Sequence, residues 1–217
     1  MSYRLLIGEK NYSSWSMRAW LLLRHLGVAF EEVSVALYRD DSHDAVRAFG
    51  GQTGLVPVLD DDGTLIWDTF AIFEHLFEAH PRVWPADRSD RARARSLAGE
   101  LHSGFGALRA AMPLNTRARN RAFDRTPAVE ADILRTETVW CDAGREGEPW
   151  LFGGFSGADI MFAPVATRFQ TYGVSLTGPA ADYQRRLLGH PLVAEWLALG
   201  EAETSLIPSA ERPAAAP

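Results

Sequence analysis

Three hydroxyls, Ser13, Ser14 and Ser16, stand in the run Asn11 to Trp20, NYSSWSMRAW, where a short apolar stretch gives way to an amphipathic one. Leu5-Leu6-Ile7 precede them, and Trp15, Ala19, Leu22, Leu23 and Leu26 then share one helical face that stops at Gly27. One of the three serines serves as N-cap, its side-chain oxygen taking an N–H of the first turn. That end of a helix also presents unpaired N–H donors and the positive pole of the macrodipole, so hydroxyls clustered there suit an anionic group. A cap alone would account for the serines equally well. The remainder of the chain has to decide between the two.

The elements that must position these residues read in a simple order. Tyr3 to Gly8 is a buried strand, Ser14 to Leu26 a helix and Phe30 to Val35 a second strand, which together make a right-handed βαβ unit with a parallel pair. A polar, glycine-rich stretch from Asp40 to Gly54 has room for one short helix near Asp44–Phe49. Two apolar runs flank Asp60-Asp61-Asp62-Gly63, a hairpin signal, with Pro57 at the mouth of its first strand. A helical stripe from Thr69 ends near His80, and Pro81 to Asp87 reads as a linker. Beyond it only helices are expected: Arg88 to Leu114 as one long pattern bent near Gly104 and Gly106, Ala128 to Gly144, Ser156 to Tyr172 with Pro164 inside, Asp182 to Gly189, and Leu192 to Ser205. Pro208 to Pro217 reads as a frayed tail.

Bulk properties narrow the function classes. The chain has 217 residues, 47% of them hydrophobic, enough for a sizeable core. A formal charge of −6 argues against a general nucleic-acid binder, and no apolar run is long enough to span a membrane. The single cysteine, Cys141, excludes an internal disulfide framework, and MSYRLLIGEK is too short in apolar residues for a secretory leader. These features lead one to expect a soluble cytoplasmic protein. Gly154 to Ala158 misses the hydrolase elbow at its last position, Gly104-Phe105-Gly106 lacks the third glycine of a dinucleotide loop, and His75, Glu78 and His80 match no metal spacing. No metal site is expected.

In this order and spacing, four local motifs make the chain similar to the cytosolic glutathione transferases over nearly all of its length. SSWSMR at Ser13–Arg18 resembles the serine-type active-site turn, most closely that of the zeta class. Val56-Pro57 resembles the family's Val–cis-Pro step, Asp68-Thr69 stands where the family has Glu-Ser or Gln-Ser, and SGAD at Ser156–Asp159 resembles its buried capping box. The resemblance implies an α/β plus all-α architecture. Residues 1–80 would form a thioredoxin-like domain of βαβ-ββα order, 81–87 the linker, and 88–217 an all-helical domain. It further implies glutathione as co-substrate and a homodimer.

The resemblance assigns roles that simple chemistry supports. The glutathione thiol, with a cysteine-like pKa of about 8.5, must be held as thiolate at neutral pH. A hydrogen bond to the charged sulfur is worth roughly 1.5–3 kcal/mol and a helix N-terminus ~0.3–1, together about one to three pH units. Ser13, five residues before Arg18, ranks first as donor and Ser14 second, while Arg18 is structural. Val56 would pair with the peptide through its backbone, and Asp68 and Thr69 would meet the γ-glutamyl end. Pro57 would touch the peptide beside Val56, and Trp15 and Leu55 complete the expected glutathione contacts. Both depart from the family pattern, Trp15 replacing a cysteine and Leu55 a residue often Lys or Gln. The glycine carboxylate is left to Gln52, Thr53, Lys10 or Arg39.

His102, Phe105, Arg109 and Met112 fall on one helical stripe and are expected to form an acceptor pocket. Core packing explains Phe105 and Met112 as well. Ser156 as N-cap and Asp159 at N3 form a capping box with Phe155 and Ile160 as its staple, a structural pair. The expected reaction is conjugation of glutathione to a small electrophile. A glutathione-dependent isomerase of the maleylacetoacetate type and a non-catalytic binding protein are the alternatives. Trp15 is expected either to narrow the site against a dicarboxylate or to pack inward with Ala19 and Leu22.

Overall fold

The structure is a computed structural model that describes residues 3–142 and 148–215. It begins with β1 (Tyr3–Ile7), α1 (Ser14–Leu26), β2 (Phe30–Ser34), α2 (Ser42–Phe49), β3 (Val58–Asp61), β4 (Thr64–Trp67) and α3 (Thr69–Ala79). The four strands form one mixed sheet in the order β2-β1-β3-β4, with β1 parallel to β2 and antiparallel to β3, and β3 antiparallel to β4. The βαβ unit explains the parallel pair, since a parallel neighbour needs a crossover and α1 supplies it. The Asp62-Gly63 turn closes the β3–β4 hairpin with both residues at positive φ. This is the thioredoxin-like arrangement followed by helices.

Helices α4 (Arg88–Ser103), α5 (Gly106–Ala111), α6 (Pro127–Cys141), α7 (Gly157–Tyr172), α8 (Gly178–Leu188) and α9 (Pro191–Ala202) follow. The expected end of α6 at Gly144 lies outside the described residues, as do the last two residues of the tail. One hydrophobic core runs from α1 and α3 into α7 and α9, with Trp20, Phe73, Phe162 and Trp196 all buried. Helix α7 is its axis, buried at every position from Gly157 to Phe169. Ser156 caps it in a capping box with Asp159, whose carboxylate also accepts hydrogen bonds from the Tyr183 hydroxyl at 2.8 Å and the Leu151 N–H at 3.2 Å.

Three expectations need correction. The stretch 81–87 carries a 3-10 turn at Pro81–Val83, with Val83 and Trp84 buried, so its prolines shape a packed corner. The pattern from Arg88 to Leu114 is two helices, because Gly104 ends α4 and Phe105 adopts a left-handed φ of 56° before α5 begins. The tail is tied down as far as residue 215: Ala122 N donates to Pro213 O at 2.9 Å and Ala215 N to Asn120 O at 2.8 Å.

Candidate active site

Helix α1 places the serines. Ser13 is its N-cap, accepting from Ser16 N at 3.3 Å, and the Ser13 hydroxyl donates to Ser16 Oγ at 2.7 Å. Ser16 Oγ in turn accepts from Gly8 N at 3.1 Å, at the end of β1. Gly8 N–H, Ser16 and Ser13 thus form one short chain through Ser16 Oγ, which accepts from both of its neighbours. When the Ser13 hydrogen turns from Ser16 to an anion in the cleft, the Ser16 hydroxyl can rotate to donate to Ser13 Oγ in its place, and each bond in such a chain polarises the next. Ser14 faces a different partner. Its Oγ accepts from Arg168 Nη2 at 3.1 Å.

A cleft of about 740 Å³ opens in front of these residues. Ser13, Ser14, Trp15, Leu55, Val56, Pro57, Asp68, Thr69, His102 and Arg109 all line it, although they come from α1, the loop before β3, the start of α3 and two later helices. The Val56–Pro57 peptide is cis. Asp68 has φ 84° and caps α3, its Oδ1 accepting from Phe70 N at 2.8 Å and Ala71 N at 3.3 Å. Its other oxygen pairs with His102 Nε2 at 3.1 Å, which links the start of α3 to the end of α4. Thr69 is buried, with Oγ1 donating to Trp15 O at 3.5 Å.

Phe105 and Met112 do not belong to the acceptor wall. The break at Gly104 rotates them out of the expected stripe, and both are buried in the core. Trp15 likewise leaves the apolar face of α1. It is half-buried on the cleft wall, edge-on to His102 at 5.1 Å. Of the residues considered for a terminal carboxylate, Thr53 lines the cleft. Lys10 is instead paired with Glu32 and lies over Trp196.

Arg168 is the main residue that the sequence reading missed. It is 4% exposed on α7, lines the cleft, and donates to Met112 O at 2.7 Å as well as to Ser14. Arg18 is buried beside it, donating to Met161 O at 2.9 Å and Ser14 O at 3.3 Å. The Arg18 and Arg109 guanidiniums lie over the Trp15 ring at 4.5 Å and 5.6 Å. Among the described residues no carboxylate lies in ion-pair reach of Arg18 or Arg168, while the charge of Asp132 acts on Arg109. Burial, with the charge of Arg109 added, pushes Arg168 down to about 10, and burial together with Arg168 and Arg109 pushes Arg18 well down. Cations held this close at such a cost make a place for an anion. The signal that could have found it is that Arg168 is the one basic residue of α7.

Among the described residues no helix is long and apolar enough to cross a membrane, and no group of three His, Cys, Asp or Glu could hold a metal ion. The family model for the glutathione S-transferase N-terminal domain matches residues 12–79. Maleylpyruvate isomerase of Ralstonia sp is 26% identical over 202 residues, covering 85% of this chain and 88% of that protein. Maleylacetoacetate isomerase of Rattus norvegicus is 27% identical over 179 residues, 76% of each chain. Among solved structures, a glutathione transferase homolog from Burkholderia with bound glutathione superposes with a TM-score of 0.73 at 24% identity, covering 94% of this chain and 100% of that one.

Proposed function

We propose that the chain is a member of the cytosolic glutathione transferase family, as the match of residues 12–79 to its N-terminal domain supports, and that it binds glutathione as thiolate and adds it to a small, carboxylate-bearing, unsaturated electrophile. In this reading the residues of 1–80 hold glutathione and those of 88–217 hold the acceptor. Ser13 donates to the sulfur, supported by the Ser16 relay and the first turn of α1. Val56 offers its backbone to the peptide, and Asp68 with the start of α3 takes the γ-glutamyl end. The observation that carries the acidic acceptor is that Arg109 and Arg168 line the cleft, Arg168 being buried with no carboxylate in ion-pair reach among the described residues.

We take cis–trans isomerisation of a slender unsaturated acid as the reaction. The thiolate adds to one alkene carbon and the double bond becomes single. Rotation follows, and elimination restores the thiolate and a trans double bond. Arg168 and Arg109 would hold the carboxylate and stabilise the charge that develops on the conjugated carbonyl side. The names of the relatives support this class. Simple conjugation is the second reading, favoured by the bulk of Trp15 on the cleft wall.

The test is a pair of measurements on the wild type and Trp15→Cys: ultraviolet titration of bound glutathione, and turnover of maleylacetone beside a chlorinated nitrobenzene. A depressed thiol pKa with faster maleylacetone isomerisation than arene conjugation is expected. An ordinary thiol pKa, or arene conjugation alone in both proteins, refutes the isomerase assignment.

A further inference from the structure

The turn that carries Ser13 is held from the far end of the chain. Tyr12 N and Ser13 N donate to Glu9 O at 3.1 and 2.8 Å. The two preceding amides, Lys10 N and Asn11 N, donate to the two carboxylate oxygens of Glu203 at 2.9 and 3.0 Å. Glu203 follows directly on α9, and α9 reaches the turn because residue 200 is glycine. A Cβ there would stand 2.6 Å from Thr116 Oγ1 and 3.1 Å from Asn11 N. The contact continues beyond Glu203. Tyr12 donates its hydroxyl to Glu211 at 2.6 Å, and Arg117 joins Tyr12 to the backbone oxygens of Glu203 and Ser205.

We propose that Glu203 is a positioning residue for the thiol-activating serine, so that the segment after α9 is part of the catalytic apparatus. This rests on the reading of Ser13 as the thiolate donor. Glu203 closes the backbone of Lys10 and Asn11 into one geometry, and that geometry sets where the Ser13 hydroxyl lies. Hydrogen bonds weaken steeply with distance and angle, so a small shift of the turn removes much of the stabilisation of the sulfur.

The sign of one measurement separates positioning from charge and from mere stability. Glu203 is negative, and deleting a negative charge on its own favours the thiolate and lowers the thiol pKa. Loss of positioning raises it. The experiment titrates bound glutathione in the wild type, Glu203→Gln and Glu203→Ala, with Glu201→Gln as control. Glu201 sits on the same helix end and, among the described residues, pairs with Arg119 at 3.0 Å. The expected result is a thiol pKa raised by about one pH unit in Glu203→Ala and by less in Glu203→Gln, which retains one acceptor oxygen. Turnover near pH 6.5 falls about tenfold and recovers at alkaline pH, where the thiol ionises unaided, while the acceptor KM is unchanged.

If Glu203→Ala does not fold, the isosteric Gln variant decides. A thiol pKa that is unchanged or lowered, with only the melting temperature reduced, overturns the proposal. An ordinary thiol pKa in the wild type would instead remove the thiolate reading itself, and is seen without any variant.

Discussion

Arg168→Met tests the acidic acceptor directly. Methionine keeps a long unbranched stem in the core and removes only the cation. In the native protein the guanidinium is buried, and its downward shift from 12.5 to about 10 corresponds to roughly 3 kcal/mol against the charged form, which still prevails at neutral pH. The variant relieves that cost and leaves Met112 O and Ser14 Oγ without a charged donor, a loss of about the same size. Stability should therefore change by no more than about 2 kcal/mol. Catalysis should not be spared. A charge-assisted contact to a carboxylate is worth roughly 1.5–3 kcal/mol, so kcat/KM for a cis unsaturated acid should fall about 10- to 150-fold. A neutral arene acceptor has no carboxylate to lose and should stay within about twofold.

The assay measures both acceptors on the same preparation. It adds a melting scan with a non-reactive dicarboxylate, which should raise the wild-type melting temperature and leave the variant unmoved. A parallel fall on both acceptors would show that Arg168 only supports the α1 terminus. An undiminished rate on the acid would remove the arginines from the site.

Other substitutions separate the remaining roles. Ser13→Ala should raise the pKa of bound glutathione and lower turnover more than affinity. Ser16→Ala should do the same to a smaller extent by breaking the relay, and an unchanged pKa in either by ultraviolet titration removes that residue from the chain of donors. Asp68→Asn keeps the cap on α3 and tolerates positive φ, so it should weaken glutathione binding about three- to tenfold in calorimetry at unchanged melting temperature. Burial pushes the Asp159 carboxyl up to about 6, with hydrogen bonds from Tyr183, Leu151 and Ser156 opposing it. A raised carboxyl favours the folded state when protonated, so its contribution is complete below the ordinary 3.8 and lost as pH rises through 6, up to about 3 kcal/mol. The stability advantage of wild type over Asp159→Asn in urea should accordingly shrink between pH 5 and 7.5; parallel profiles would refute it.

Local signals carried most of the first half. Serine cap, apolar stripe and Gly27 stop gave α1 its observed bounds, and the Asp-Gly pair gave the hairpin. These features are written in neighbouring residues. What failed was written in distant ones. The stripe His102-Phe105-Arg109-Met112 assumed one continuous helix, and a period carried through the left-handed Phe105 predicts the wrong face. The 208–217 segment looked like a tail because its Pro and Ala content hides the tie that Glu211 makes to Tyr12 near the N-terminus. Arg168 looked like any helical arginine until α7 packed against the start of α1 and brought its guanidinium to Ser14.

Trp15 joins the two sides of the cleft, and its position changes what its bulk means. An indole free in the cleft would compete with a diacid for space. Here the ring instead lies under Arg18 and Arg109, and it meets His102, which is itself held by Asp68. A cation over an aromatic face is stabilised by the ring and still has N–H groups to offer outward, so Trp15 and an acceptor carboxylate can use the same guanidinium from different directions. The indole also fills volume that the arginines would otherwise share with water, and a drier site strengthens each charge-assisted bond. In the proposed reaction Trp15 would therefore limit the breadth of the acceptor rather than its charge. A narrow unsaturated acid passes on both counts, and a branched or bulky one fails on the first.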